Sequence, residues 1–284
     1  MERWTVEEPQ RLSLEGEVRR LDVSLITAAV NVVGTDGPAR IEVTRVGRRP
    51  LIVEHSDGVL RLRHEKPTNW PGMLWWLGMQ GRQYHVEVSI AVPESTFSTL
   101  RVPAGSVVAS GLRAGADIDV TSGRITMLGL DGVVHAKVTS GSIEALGVGG
   151  ELTADVMSGE MTVADSAARR VNANVVSGAL TCDLDNPHGS DIRLTTISGE
   201  ITVRIREDSD LDVHLQAASG RLSTSFAQLH PQGLASMRSA HGRLGAGTGQ
   251  LHASAVSGNI ALLSRPVDAE ADVGVGPDRP EEKA

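Results

Sequence analysis

Large rings and sulfur are scarce in this chain of 284 residues, which holds only seven aromatic side chains and a single cysteine, Cys182. With so few rings the core must be filled by Val, Ile, Leu, Met and Ala, which suits the narrow interior of stacked rungs better than a broad sandwich. One cysteine excludes an intramolecular disulfide and fits a reducing compartment. Cys182 falls on an inward position of its repeat, so it is expected as a small core residue. No apolar run of about 18 residues occurs, so no membrane-spanning helix is predicted. The start, Met1-Glu2-Arg3-Trp4, leads into polar sequence without the apolar stretch of a signal peptide, which makes the cytoplasm the expected location. Basic charge is also short: 27 Lys and Arg against 35 Asp and Glu leave a net charge of −8. That balance argues against a nucleic-acid partner, because phosphate binding needs a concentrated basic surface.

Signatures of metal and cofactor chemistry are missing too. There is no His-Glu-x-x-His, no Cys-His cluster and no calcium-binding Gly-Asp repeat. His230, His241 and His252 share an interval of eleven but carry no supporting carboxylate pattern. Gly245 to Gly249 is glycine-rich but lacks the lysine of a phosphate loop. No cofactor, metal ligand or catalytic residue is predicted.

What the chain does have is a period. Ser-Gly pairs stand at Ser122-Gly123, Ser140-Gly141, Ser158-Gly159, Ser177-Gly178, Ser198-Gly199, Ser219-Gly220 and Ser257-Gly258, every 16 to 22 residues if His241-Gly242 stands in for one of them. Inward, mostly apolar residues lie two and four positions before each serine and three and five after it, as with Val138, Ala136, Ile143 and Ala145 around Ser140. The parity shifts by one across the pair, so a straight strand would send Ile143 to the wrong face. Ser-Gly is therefore read as a corner, where glycine tolerates positive φ and leaves room for the next rung, and where stacked serines can hydrogen-bond along the axis. The predicted fold is all-β, a parallel β-solenoid with rungs of 16 to 22 residues.

Along the chain, residues 1–103 read as an N-terminal β-strand region and cap, with strands at Leu21 to Val33, Ala39 to Arg45, Leu51 to Glu54, Val59 to Arg63 and His85 to Pro93. Residues 104–263 are the Ser-Gly solenoid, continuous with the first region, and 264–284 form a disordered tail rich in turn-formers. One segment breaks the pattern. The inserted loop 66–82 holds three of the four tryptophans, and Trp70, Met73, Leu74, Trp75, Trp76 and Leu77 make it a candidate contact site, or else a cap folded over the first rung.

The strand Val88-x-Ile90-x-Val92-Pro93, followed by Leu100-x-Val102 and the run of Val-x-Ser-Gly-x-Ile-x-Val rungs, resembles the bacterial β-strand-repeat proteins known as the "putative adhesin" family, a domain of unknown function. The resemblance covers residues 15 to 263. It implies a parallel β-solenoid without enzymatic activity, sometimes associated with cell-envelope stress systems.

The expected function is that of a non-enzymatic scaffold or adhesin-like binding and assembly protein. Its partner would be an unknown protein or a second copy, with peripheral membrane contact available through the Trp loop. Two alternatives stand beside it. A cytoplasmic self-assembling scaffold, like the bactofilins in architecture, would polymerise through uncapped ends. A glycan-active β-helix enzyme would use Glu160 and Glu200, two rungs apart in an outward column with Arg124, Ser142 and Ala179. Two further outward columns are expected: Asp119, Lys137, Asp155 and Asn174 as a charge ladder, and Thr126, Thr162, Thr181, Thr202 and Ser223 interrupted by Glu144. Met157, Val176, Ile197, Ala218, Ala240 and Val256, each just before its corner, form an apolar outer stripe if they face outward, and such a stripe favours lateral self-association.

Overall fold

The computed structural model describes residues 2–64, 84–184, 189–233 and 237–266. Tryptophans 70, 75 and 76, with Met73, Leu74 and Leu77, lie outside the described residues, as does the chain after residue 266. Every regular element described is a strand, and eighteen of them join one continuous hydrogen-bonded sheet. The body of that sheet is parallel, as the period requires: β9 (Phe97–Ser110), β10 (Ala116–Leu128), β11 (Val133–Leu146), β12 (Glu151–Ala164), β13 (Arg170–Leu184) and β14 (Asp191–Arg206) stack in chain order.

The register aligns each Ser-Gly pair with the next, from Ser122 through Ser140, Ser158 and Ser177 to Ser198. Ala104-Gly105 of β9 occupies the same column one rung earlier, a corner that the serine pattern does not reveal. Around Gly159 the geometry explains the parity shift. Val156 and Met161 both point inward, Met157 and Ser158 both face solvent, and Gly159 turns the chain with φ of +140°. The inward columns are mixtures of small and branched side chains, such as Ile125, Ile143, Met161, Leu180 and Ile201. Cys182 sits between Val163 and Val203 in another, fully buried.

Chain order and stacking order part company at both ends. After β14 come β15 (Leu211–Ser219), β16 (Leu222–Thr224), β17 (Arg238–Leu244) and β18 (Gly249–Arg265). Instead of stacking last, β18 lies between β14 on one side and β15 with β16 on the other, parallel to all three. The chain thus skips one level, turns back through β17, and fills the gap. β17 runs antiparallel to β15, with His241 opposite His214, so His241-Gly242 is not a corner of the Ser-Gly kind. β18 also continues two residues past Leu263, where the repeats were expected to end, and the Arg265 guanidinium comes within 3.7 Å of Asp183.

The other end repeats this overshoot. β3 (Arg20–Ser24) and β4 (Thr27–Thr35) form the rung beneath β9, and β7 (Val59–His64) and β8 (His85–Pro93) form the rung beneath that, all parallel. β5 (Arg40–Arg45) and β6 (Leu51–Ser56), earlier in the chain, lie one level further out and antiparallel to β8 and β7. β1 (Glu2–Val6) and β2 (Gln10–Ser13) close the stack, antiparallel to β6 and β5. Both ends therefore finish in strands of three to seven residues in place of the 13 to 17 residue strands of the body. Short antiparallel edges are poor templates for adding another rung.

Candidate functional site

Three columns of side chains run along the Ser-Gly corner. The serines are exposed, and among the described residues none of the corner hydroxyls makes a protein hydrogen bond; the expected ladder of bonded serines is not formed. The glycines do the structural work. A Cβ on Gly159 would fall on the carbonyl oxygen of Gly141, and the same collision recurs between Gly141 and Gly123 and between Gly178 and Gly159. Serine at the corner is thus a solvent-facing residue beside a close backbone approach, and no hydrogen bond joins it to a histidine among the described residues.

The column just before the serines is the unusual one. Thr121 and Thr139 begin it, and then Met157, Val176, Ile197 and Val256 follow on four adjacent strands, 51, 39, 51 and 57% exposed. Neighbouring strands lie about 4.8 Å apart, so these four side chains form an unbroken apolar ridge about 14 Å long. Ala218 extends it on β15. Ala240, also expected there, is buried at 1% exposure, because β17 runs antiparallel and turns that position inward.

On the far side of the glycines the outward columns fall as expected. Glu160 and Glu200 flank Ala179, two rungs apart, and Asn259 continues the column on β18. Both carboxylates are exposed on an open face. Asp119, Lys137, Asp155 and Asn174 stand in register, with the Asn174 amide donating to Asp155 at 2.9 Å. Thr126 donates to Glu144 at 3.4 Å, and the threonine column passes through Ala261 before it reaches Ser223. These are ladders that favour register rather than catalytic constellations.

β7 ends at His64 and β8 begins at His85 along this same corner column, and the tryptophan-bearing residues between them lie outside the described residues. Their described flank is rigid in chemistry. His64 is buried, accepts a hydrogen bond from the Ile26 backbone amide at Nδ1 (3.2 Å), and packs edge-on against Tyr84 with ring centroids 5.5 Å apart. Burial pushes the imidazole below its ordinary value, so it stays neutral at this joint.

Among the described residues no group of three His, Cys, Asp or Glu side chains converges on a metal position. Cys182 is held as an inert thiol, pushed up to about 12 by burial first and by the neighbouring Asp183 charge second. No helix among the described residues is long and apolar enough to cross a membrane. One cluster escaped sequence reasoning. His241 and His252, eleven apart, do meet, but through His214 and not His230, and only the interleaved order of β14, β18, β15 and β17 brings them together.

The sequence pattern of the Toastrack DUF4097 family matches residues 19–263, nearly the whole stack from β3 to β18. The chain belongs to that family. No curated protein matches it. Among solved structures this Toastrack chain is similar to a "putative adhesin" from Bacteroides fragilis NCTC 9343, at 11% identity and a TM-score of 0.44, covering 93% of this chain and 97% of that one. It is similar to a "putative adhesin" from Parabacteroides merdae ATCC 43184, at 8% identity and a TM-score of 0.36, covering 91% and 95%. A "putative lipid binding protein" from Parabacteroides distasonis ATCC 8503 matches at 9% identity and a TM-score of 0.34, covering 91% and 97%.

Proposed function

We propose that this Toastrack chain is a non-enzymatic binding and assembly scaffold whose working surface is the corner ridge, closing on a second copy of the chain. The observation that carries this reading is the in-register run of Met157, Val176, Ile197 and Val256 on four adjacent strands, each well exposed. Single exposed apolar residues need no explanation, but a contiguous ladder of them marks a contact surface. A straight ladder is self-complementary: a two-fold axis across its centre sets one ridge against the other in reverse order, which closes the contact at a dimer. Lateral pairing also fits the ends of the stack better than axial growth does. Short antiparallel β1, β2 and β17 occupy the outer levels, which counts against the end-to-end polymer of a bactofilin-like scaffold.

The absence of a catalytic role is supported by the chemistry of the outward columns. Glu160 and Glu200 stand exposed on an open face, and among the described residues no base is hydrogen-bonded to a corner serine.

Sedimentation velocity across the micromolar range tests the reading. Wild type is expected to shift from monomer to dimer with concentration, and the double variant Val176→Glu, Ile197→Glu to remain monomeric. Four unpaired carboxylates buried in the paired ridge weaken association by at least about 100-fold, roughly 3 kcal/mol. Circular dichroism on the variant checks that the solenoid persists. A wild type that stays monomeric throughout, or a folded variant that dimerises like wild type, overturns the assignment.

A further inference from the structure

The interleaving of β18 between β14 and β15 has a chemical product on the outer face of the sheet. Arg193 of β14, His252 of β18, His214 of β15 and His241 of β17 stand in register on four neighbouring strands. The imidazoles are stacked: His214 and His252 have ring centroids 4.8 Å apart with planes inclined by 8°, and His214 and His241 are 6.4 Å apart at 14°. All three histidines are exposed, so the stack stands on the solvent face of the sheet. Two residues further along the same strands, Thr195, Ser254, Gln216 and Ser239 make a second row, again in register. The rows face a common cavity of about 530 Å³, within the range of small-ligand sites.

Among the described residues no carboxylate lines this cavity, although the chain carries a net charge of −8. Acids lie at its margin and act on the cationic row from outside. Asp191 accepts from Arg193 Nε at 3.3 Å, and Asp212 lies 3.4 Å from His214 Nε2. Other charged groups near the row are Arg238 and Arg243 of β17, opposite Ala217 and Asp212, and Arg170 of β13, opposite Asp191, while the β13 neighbour of Arg193 is the neutral Asn172; Glu200, Arg204, Arg206 and Arg265 lie on β14 and β18 beyond the corner. The cavity is thus a grid of donors: one row permanently or conditionally cationic, the other neutral and hydrogen-bonding.

We infer that this grid is a binding site for a small linear oligoanion, a ligand with two or more phosphate or carboxylate groups. Its charges lie along the arginine and histidine row and its remaining polar atoms along the hydroxyl and amide row. The four strands span about 14 Å from Arg193 to His241, which accommodates several anionic groups and exceeds the reach of a single one. The histidines make the site conditional. An oligoanion seated in the row and protonation of the imidazoles favour each other, because the bound negative charge relieves the repulsion between like charges at strand spacing. Affinity therefore rises on acidification.

Calorimetric titration of the folded chain with inorganic tripolyphosphate and, separately, with citrate tests this at about pH 5.5 and about pH 7.5. At least one probe is expected to bind saturably, at least about tenfold more tightly at the lower pH. Both probes lose negative charge on acidification, so a gain in affinity reports the protein and not the ligand. Arg193→Gln and His252→Gln, both at exposed positions, should each weaken binding at least about fivefold, while Arg124→Gln on the remote corner column leaves it unchanged. Binding of tripolyphosphate alone assigns a phosphate ligand, and binding of citrate alone a carboxylate. The inference falls if neither probe binds saturably at the lower pH, if affinity is independent of pH, if Arg193→Gln and His252→Gln bind like wild type, or if Zn²⁺ binds at the histidines and neither anion does.

Discussion

Replacing Gly159 by alanine tests whether the corner is held by backbone contact or merely decorated by small residues. In the Gly159→Ala variant the new methyl would stand 2.8 Å from the carbonyl carbon of Gly141 and 3.2 Å from its nitrogen, with the carbonyl oxygen closer still. The residue would also have to keep φ near +140°, a region that L side chains rarely adopt. That backbone strain alone costs about 1 to 3 kcal/mol. Relief requires β11 and β12 to separate at the corner, which forfeits about two backbone hydrogen bonds at about 1 kcal/mol each and loosens packing around Val156 and Met161. A loss of about 4 kcal/mol follows, a large share of the roughly 5 to 15 kcal/mol that holds a typical domain folded. Ser158→Ala, at the exposed position one residue earlier, should change stability by less than about 0.5 kcal/mol. Urea unfolding followed by circular dichroism measures both, and hydrogen exchange should show amides of β11 and β12 near the corner losing protection first. If Gly159→Ala unfolds within about 1 kcal/mol of wild type, the rungs do not meet at the glycines as described.

Two further outcomes follow from buried or paired side chains. Native Cys182 should react with a thiol reagent at neutral pH about a thousandfold more slowly than the unfolded chain, since a thiol pushed up to about 12 holds little thiolate and is enclosed; labelling of the native protein at the free-thiol rate would show an open core at that rung. Glu54, only 10% exposed at its side chain, receives Arg63 Nη2 at 2.8 and 3.1 Å, and this hydrogen bonding, aided by the charges of Arg63, Arg3 and Arg61, outweighs burial and holds its carboxyl below the usual 4.5. Its contribution to stability is complete above that usual value and is lost as pH falls through the lower folded value, so Glu54→Gln should flatten the acid side of a Tm-against-pH profile. A variant whose profile overlays wild type between about pH 6 and pH 3 would remove Glu54 from the account.

The corner, the register and the inward columns were legible in the sequence because each is a local rule. Period-two alternation assigns the faces, and a shift of one residue at a glycine can only be a turn or bulge. Stacking like upon like then aligns Ser140 with Ser158, Glu160 with Ala179 and Asp155 with Asn174. The apolar residue before each corner was legible as a stripe for the same reason, and it failed only at Ala240, where the strand direction reverses. The Ala104-Gly105 corner and the missing hydrogen bonds of the corner serines were not legible, since the essential partner at a corner is a backbone carbonyl and not a side chain.

The sequence by itself determined that the chain is a parallel solenoid, where its corners fall and which side chains fill it. Only the tertiary structure decided the order of the rungs at the ends. Every rung offers the same edge and nearly the same apolar width to its neighbour, so a period cannot say whether β18 stacks after β17 or slips between β14 and β15. That choice rests on nonlocal contacts, among them Arg265 against Asp183 and the antiparallel return of β17 beside β15. From it come the closed ends, the buried Ala240, and a row in which Arg193, His252, His214 and His241, scattered over sixty residues of sequence, stand side by side.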